Sequence, residues 1–144
     1  MTGSVIQLFT TQDNDQKTRV MPDQISVDEL GVQGDKFYAK DINRSILIAS
    51  IDSYQLSKEN GIELEYGALG ENILIDINPY SLSSGDIITI SGIKMKISQH
   101  CTLCQGLSNL NSKLPKLLKN DRGIFVQVIE SRSSTIKLGD VVTI

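Results

Sequence analysis

Short runs of apolar, largely β-branched residues recur along the chain, and turn-forming residues separate them. Within Ile93-Lys94-Met95-Lys96-Ile97, apolar and polar side chains alternate strictly. Alternation is typical of a strand with one buried face, and a short continuous apolar run is typical of a buried strand. The runs predict six to eight short strands, drawn from residues 5–9, 25–27, 46–49, 73–76, 87–90, 93–97, 124–129 and 141–144.

Two stretches have helical features instead. Residues 50–60 predict a short helix that Ser50 caps and Gly61 closes in a left-handed conformation. The apolar face of this helix would consist of Ile51, Tyr54 and Leu56.

Leucines at helical spacing predict the second helical stretch, and Pro115 should divide it into two short pieces. The leucines concerned are Leu107, Leu110, Leu114, Leu117 and Leu118. Many short strands with two or three short helices predict a mainly β fold, a closed or half-closed barrel. A parallel α/β sheet would need long helices alternating with the strands.

The chain contains one internal echo. Residues 82–90 and 136–144 both consist of a hydrophobic residue, a short spacer, Gly-Asp and four β-favouring residues. We interpret them as two equivalent turns that each feed a strand, since the echo is too short for a domain repeat.

Composition limits the function. A length of 144 residues fits one domain, residues 1–144, with a substantial core. The net charge of −3 argues against a nucleic-acid partner, because binding to phosphate backbones requires a basic surface. The sequence lacks the long apolar window of a membrane span and the signature of a signal peptide, so we expect a cytoplasmic protein.

The only histidine and both cysteines lie within five consecutive positions, His100 to Cys104. They follow the alternating run and precede the leucine-rich stretch, so the thiols should lie where a strand ends and a helix begins. The Cys-x-x-Cys spacing suits a redox pair or half of a zinc site. Zinc needs four ligands and this segment supplies at most three, so we do not expect a structural zinc site. A regulatory or protective disulfide is the alternative that stays open.

Several motifs occur in the order found in one family. They are Gly31-Val32-Gln33-Gly34-Asp35, Arg44 before an apolar strand, Gly70-Glu71-Asn72-Ile73, Gly85-Asp86, a cysteine after an amphipathic strand, Gly123-Ile124-Phe125-Val126 and Gly139-Asp140. The ordered set resembles the MOSC domain (molybdenum cofactor sulfurase C-terminal domain), most closely its small stand-alone bacterial type. The resemblance implies a barrel like that of pyruvate kinase and a role in handling sulfur or the molybdenum cofactor.

The resemblance also implies one essential cysteine, and Cys104 is the residue that matches it. In the family this cysteine carries sulfur as a persulfide or ligates molybdenum. Cys101 and Leu103 occupy positions where many relatives have arginine and proline. Candidate catalytic residues are therefore Cys104, His100 and Cys101, and Cys104 is also the candidate metal ligand.

Cysteine acts as a nucleophile or a soft-metal ligand only as the thiolate. Nearby His100 and the start of a helix at about Gln105 would both lower the pKa of Cys104. We therefore expect an accessible thiolate, and the pH dependence of its alkylation rate would test this. The alternatives are a buried, inert Cys104 and a His100 that is an ordinary surface residue.

Four further residues are candidates for cofactor binding. The cations Lys36, Arg44 and Arg122 could bind an anion such as the pterin phosphate, because guanidinium groups match phosphate oxygens. Asn72 follows a glycine turn and could orient a polar ligand atom. Surface salt bridges are the alternative interpretation for each cation.

The leading hypothesis is a protein that binds the molybdenum cofactor (molybdopterin) or passes sulfur from Cys104 to a metal–sulfur or cofactor acceptor. The alternative is a non-catalytic module that delivers the cofactor or docks on a partner. Catalysis, as sulfur transfer or as molybdenum-cofactor-dependent activity, stays open at this point. The chain is too short to include a pyridoxal-phosphate domain, so a cysteine desulfurase or a molybdoenzyme would be the partner.

Overall fold

The apolar runs fold as strands, and short helices connect some of them. The structure is a computed structural model that describes residues 1–14, 16, 18–102, 105–129 and 134–144, with the backbone alone at Gln105. The strands are β1 (Thr2–Leu8), β2 (Thr10–Thr11), β3 (Arg19–Val20), β4 (Gln24–Asp28), β5 (Gly31–Val32), β6 (Ile46–Ser50), β7 (Ile73–Ile75), β8 (Ile87–Ile90), β9 (Ile93–His100), β10 (Ile124–Val128), β11 (Ser134–Lys137) and β12 (Val141–Thr143). The helices are α1 (Ile51–Glu59), α2 (Gln105–Leu110) and α3 (Leu114–Leu117), and a 3₁₀ turn spans Ile42–Arg44.

Seven of these strands form a closed barrel in the order β1-β12-β8-β9-β10-β6-β7, and β7 pairs back with β1. All neighbours are antiparallel except β6 and β7, which are parallel. Small sheets of β11-β4-β5 and β2-β3 lie beside the barrel. The predicted mainly β, closed-barrel fold is therefore confirmed.

Isoleucine and valine fill the barrel interior. Ile48 on β6 pairs with Ile124 on one side and Ile73 on the other, and all three are fully buried. All five residues of β6 are buried. On the outer face, the helices cover Ala49, whereas Leu47 packs with Phe125 and Cys101. On β9, by contrast, Lys94 and Lys96 face solvent, which explains the alternation in its sequence.

The turns follow the sequence signals closely. Ser91 and Gly92 both have positive φ, 53° and 77°, as expected for a tight hairpin between β8 and β9. The two echo segments form matching turns, because the Asp86 carboxylate accepts from the Ser83 N–H at 2.8 Å and Asp140 accepts from Lys137 at 2.7 Å. They lead into β8 and β12, which are neighbours in the barrel.

Pro115 divides the leucine-rich stretch into α2 and α3, as predicted. Both helices pack on the barrel through a second apolar cluster that includes Phe9, Leu74, Leu107 and Leu118. No helix in the described ranges has the length and apolar character needed to cross a bilayer.

The structure adds three strand pairings that the sequence pattern does not predict. Thr10–Thr11 pairs with Arg19–Val20, and Gly31–Val32 pairs with β4. Strand β11 was not predicted, because Ile136 is its only buried residue.

The apolar face predicted for α1 is present but incomplete. Tyr54 is buried in the second apolar cluster and Ile51 and Leu56 pack against it, whereas the buried Ser53 and Ser57 were not predicted. Small hydroxyl residues let the helix approach closely, and Ser53 Oγ lies 2.6 Å from the Tyr80 hydroxyl oxygen. Ser50 caps this helix as predicted, its Oγ accepting from the Asp52 N–H at 3.1 Å.

Candidate functional site

A cavity of about 330 Å³ lies on the outer face of the barrel, over β6 and β10. Ile46 and Ile48 face the barrel interior, so Leu47 between them faces outward. Leu47 pairs with Phe125 across the two strands, and together with Cys101 they form a separate buried cluster. This cluster is the floor of what we call the strand cavity.

Cationic side chains surround this apolar floor. Lys40, Arg44 and Arg122 line the strand cavity, together with one carboxylate, Asp41. The Asp41 carboxylate caps the 3₁₀ turn by accepting from the Asn43 N–H at 3.0 Å. The lining is therefore net positive and apolar at its base, which suits an organic anion.

Arg44 lies where it does because the capped 3₁₀ turn ends at this residue, just before β6. Its guanidinium carbon lies 5.6 Å from the centroid of the Phe125 ring. A guanidinium stacked on an aromatic ring is held without losing its donors, so it remains able to bind an anion.

Arg122 reaches the cavity through the close approach of β10 to its neighbours. The Cys101 N–H donates to the Gly123 carbonyl at 2.9 Å, which joins the segment after β9 to the start of β10. A side chain at Gly123 would meet the Ile48 carbonyl oxygen at 3.0 Å, so glycine permits this contact. The backbone therefore brings Arg122 and Cys101 together beside the floor.

The Arg122 guanidinium carries an unusual feature. Its Nε and Nη1 atoms are buried and have no hydrogen-bond partner within the described part of the chain. Buried donors in native proteins are nearly always paired, and an unpaired charged group calls for a bound water or ion. Arg122 is thus poised to donate to a ligand.

Of the predicted thiols, only Cys101 is among the described residues. It is a free thiol, 3% exposed, and it lines the strand cavity. Cys104 lies outside the described residues, so its predicted roles as essential thiol and metal ligand stay predictions. The segment that holds it connects β9, which ends at His100, to α2, which begins at Gln105.

His100 does not face the strand cavity. Its Nε2 atom lies 2.7 Å from the Leu82 carbonyl oxygen, to which it donates. The side chain thereby joins the end of β9 to the loop before β8. The structure does not bring His100 to the cavity as a partner for a thiol there.

Lys36 also lies apart from the cavity lining. Its Nζ atom is 4.7 Å from the centroid of the Phe37 ring, and Phe37 itself borders the cavity. Of the four predicted cofactor-binding residues, the structure brings together Arg44, Arg122 and Asn72.

Asn72 lines the cavity, but its side chain is engaged by the scaffold. Its Oδ1 atom accepts from the Leu47 N–H at 3.0 Å, and its Nδ2 donates to the Phe9 carbonyl at 3.2 Å. Asn72 is 5% exposed and joins β6 to the segment after β1. It holds the cavity floor in place.

Sequence reasoning missed a buried network behind the cavity wall. The Tyr54 hydroxyl donates to Glu71 Oε2 and accepts from the Gly67 N–H at 3.0 Å. Arg19 donates to the Glu71 carbonyl at 2.8 Å and to the Gly67 carbonyl at 3.2 Å. This network fixes residues 67–71, of which Leu69 and Gly70 line the cavity. The signal was present in Gly70-Glu71-Asn72, where a carboxylate precedes a buried strand.

Burial raises the pKa of Glu71 above its ordinary value, and the Tyr54 hydroxyl offsets only part of this effect. A carboxyl whose pKa is raised by folding stabilises the protein fully below its ordinary pKa and loses that contribution as pH rises through the folded value. We therefore expect the free energy of unfolding to fall as pH rises above the ordinary pKa of glutamate, by at most about 1.4 kcal/mol per pH unit. Glu71→Gln should remove this slope, because a neutral amide replaces the titrating group.

Denaturant titrations of the wild type and Glu71→Gln between about pH 5 and pH 8 would measure the slope. The control is Glu63→Gln, an exposed carboxylate that should leave the slope unchanged. Equal slopes in wild type and Glu71→Gln would contradict the assignment.

The described residues do not form a metal site by themselves. The described residues contain no group of three or more His, Cys, Asp or Glu side chains able to hold a metal ion. A metal that arrives within an organic cofactor needs fewer ligands from the protein, so a single thiolate would serve.

Fold and site define a β-barrel protein with a cationic, thiol-bordered cavity on the outer face of its wall. The family model described as MOSC domain matches residues 28–143, and the chain belongs to this family. No curated protein matches the chain significantly.

Solved structures support the same fold. YuaD from Bacillus subtilis superimposes with a TM-score of 0.83 at 20% sequence identity, over 99% of this chain and 94% of that one. YiiM from Geobacillus stearothermophilus superimposes with a TM-score of 0.70 at 16% sequence identity, over 99% of this chain and 75% of that one. YiiM from Escherichia coli superimposes with a TM-score of 0.70 at 20% sequence identity, over 99% of this chain and 68% of that one. At these identities the likeness concerns the fold alone.

Proposed function

We propose that this MOSC-domain protein binds the molybdenum cofactor in the strand cavity and carries sulfur on Cys104. One observation carries the proposal: the cavity gathers Arg44, Arg122 and Cys101 in the fold of a family associated with sulfur and molybdenum. We further propose a cytoplasmic location, where thiols remain reduced.

The described residues fit a phosphorylated pterin. The unpaired Nε and Nη1 of Arg122 are donors suited to phosphate oxygens, and Arg44 supplies a second guanidinium at the same cavity. A volume of about 330 Å³ lies at the lower end of the range for small-molecule sites. The apolar floor of Leu47 and Phe125 would lie against the pterin rings.

When bound, the cofactor would supply molybdenum that accepts a thiolate ligand and exchanges sulfur or oxygen atoms. This chain's own contribution would be to hold the phosphate with Arg44 and Arg122. Asn72 and the network around Glu71 would keep the floor and the wall rigid. Cys104 would supply the thiolate.

The sulfur step needs no oxidant. The Cys104 thiolate attacks the terminal sulfur of a persulfide on a donor such as a cysteine desulfurase. The new S–S bond forms at Cys104 while the donor's S–S bond breaks, and the donor leaves as a thiolate. Attack by an acceptor on the terminal sulfur regenerates the Cys104 thiolate.

Mass spectrometry under non-reducing conditions tests this proposal. After incubation with a cysteine desulfurase and free cysteine, we expect the wild type to gain the mass of one sulfur atom on the Cys104 peptide. Cys104→Ser should gain none, whereas Cys101→Ser should retain the adduct. An adduct that persists in Cys104→Ser would contradict the role of this thiol.

The second candidate is a module that delivers the cofactor without carrying sulfur. The observation in its favour is that the described cavity residues are suited to holding an anion through Arg44 and Arg122. Retention of the cofactor by Cys104→Ser, together with absence of the sulfur adduct in the wild type, would support this candidate.

A further inference from the structure

A second cavity shares two lining residues, Cys101 and Arg122, with the strand cavity. It has a volume of about 420 Å³, and its other lining residues come from Thr102, α2, α3 and residues 118–120. We call it the helix cavity. Cys101 and Arg122 therefore border both cavities.

The lining of the helix cavity is amphipathic. Leu107, Pro115 and Leu118 supply an apolar base, and Leu107 and Leu118 are almost fully buried. Lys116 and Lys119 are exposed residues of the same lining. Together with Arg122, the two lysines give the described lining three cations, and the described lining includes no carboxylate.

Arg122 borders both cavities, and its Nε and Nη1 atoms are buried without a hydrogen-bond partner among the described residues. A guanidinium with a buried and unsatisfied side is costly unless an anion or water completes it. A ligand in the strand cavity would leave the cationic and apolar lining of the helix cavity without a ligand, although Arg122 borders both.

We infer that the helix cavity is a separate binding site for a small organic anion with an apolar body, held by Arg122 and the two lysines. The ligand would contact Cys101 and Arg122 from within the helix cavity. The site would thus admit an acceptor or donor molecule while the strand cavity is occupied. The inference does not require molybdenum or persulfide chemistry.

Three probes measure separately how the negative charge and the apolar body of the ligand contribute to binding. Naphthyl phosphate combines a fused aromatic body with a phosphate group, and its fluorescence anisotropy reports binding directly. Naphthol has the same body without the charge, and inorganic phosphate has the charge without the body. We expect one equivalent of naphthyl phosphate to bind in the helix cavity, about ten-fold or more tightly than either fragment. Any equivalent bound in the strand cavity, which the proposed function assigns to a phosphorylated ring system, should be lost in Lys40→Trp.

Matched variants identify the cavity that holds the probe. Lys119→Trp places a bulky ring at the helix cavity, and Lys40→Trp does the same at the strand cavity. Both substitutions remove one positive charge from an exposed position. For the equivalent bound in the helix cavity, we expect Lys119→Trp to weaken naphthyl phosphate binding about ten-fold or more and Lys40→Trp to change it less than about two-fold. Arg122→Met should also weaken it about ten-fold or more.

Several results would overturn the inference. They are binding in which every equivalent is unaffected by Lys119→Trp, binding in which every equivalent is weakened more by Lys40→Trp, or naphthol binding as tightly as naphthyl phosphate. Thermal unfolding curves of each variant would show whether it is folded, and Lys119→Gln provides a milder variant that should weaken binding two- to three-fold, roughly the value of one exposed ion pair. Failure of the cofactor proposal is distinguishable, because it would abolish cofactor binding and leave naphthyl phosphate binding intact.

Discussion

Replacing Arg44 and Arg122 together by glutamine is expected to weaken binding of the molybdenum cofactor about a hundred-fold or more. A hydrogen bond to a charged group contributes about 1.5–3 kcal/mol, and the two guanidinium groups would each lose at least one. A combined loss of about 3 kcal/mol corresponds to slightly more than a hundred-fold in the dissociation constant. Each single substitution should cost about ten-fold.

The measurement is the pterin fluorescence retained by the protein after gel filtration at graded cofactor concentrations. The control variant, Lys58→Gln with Lys137→Gln, also removes two positive charges, but from exposed positions outside the strand cavity. Its affinity should stay within about three-fold of the wild type, since exposed charges contribute little. Equal losses in the two double variants would show that only net charge matters and would refute the assigned site.

The strands that the sequence predicted best are those whose environment is uniform along their length. In β9, one face packs into the barrel and the other meets solvent, so alternation is clear. In β6, the helices cover Ala49 and a separate cluster with Phe125 and Cys101 covers Leu47, so Ile46 to Ala49 form a continuous apolar run. Strand β11 escaped prediction because it pairs only with β4 in a small sheet, and one buried side chain leaves no periodicity.

The prediction for α1 missed the buried Ser53 and Ser57 for a physical reason. A helical periodicity is read from apolar side chains alone, but α1 also approaches the barrel through the hydroxyl residues Ser53 and Ser57. Their hydroxyls are satisfied by specific partners, as in the 2.9 Å bond from Ser57 Oγ to the Ser53 carbonyl. A buried hydroxyl with a partner is compatible with a core, but the sequence does not name the partner.

The candidate site was predictable to the extent that its residues belong to motifs next to strands. Arg44 and Arg122 each precede a barrel strand, and both line the strand cavity. Because β6 and β10 are antiparallel, their first residues lie at opposite ends of the pair, so the sequence could not show that the two guanidinium groups share one cavity. Successive residues at a strand end face opposite sides, so His100 and Cys101 could not both reach the cavity. The Glu71 network escaped prediction because it joins three segments distant in sequence, at Arg19, at Tyr54 and at residues 67–71.

The sequence motif predicted Asn72 to bind the cofactor, whereas its side chain is hydrogen-bonded to the backbone of Leu47 and Phe9. Asn72→Ala is expected to lower the free energy of unfolding by about 3 kcal/mol, because the buried Leu47 N–H and Phe9 carbonyl would each lose a partner. Urea titrations would measure the change. Asn72→Asp keeps the acceptor for Leu47 but places a carboxylate 3.5 Å from the Asp35 carboxylate oxygen, so it should destabilise as well.

The same variant separates a scaffold role from ligand contact. If Asn72 acts by holding Leu47 in the cavity floor, Asn72→Ala should bind the cofactor within about three-fold of the wild type wherever it remains folded, a difference below 1 kcal/mol. A contact between the amide and the ligand would instead reduce affinity in the fully folded variant, by about ten-fold or more. Affinity measured at low temperature, where the folded fraction is complete, distinguishes these outcomes. The first result would place Asn72 in the scaffold of the cavity and leave anion recognition to the guanidinium groups.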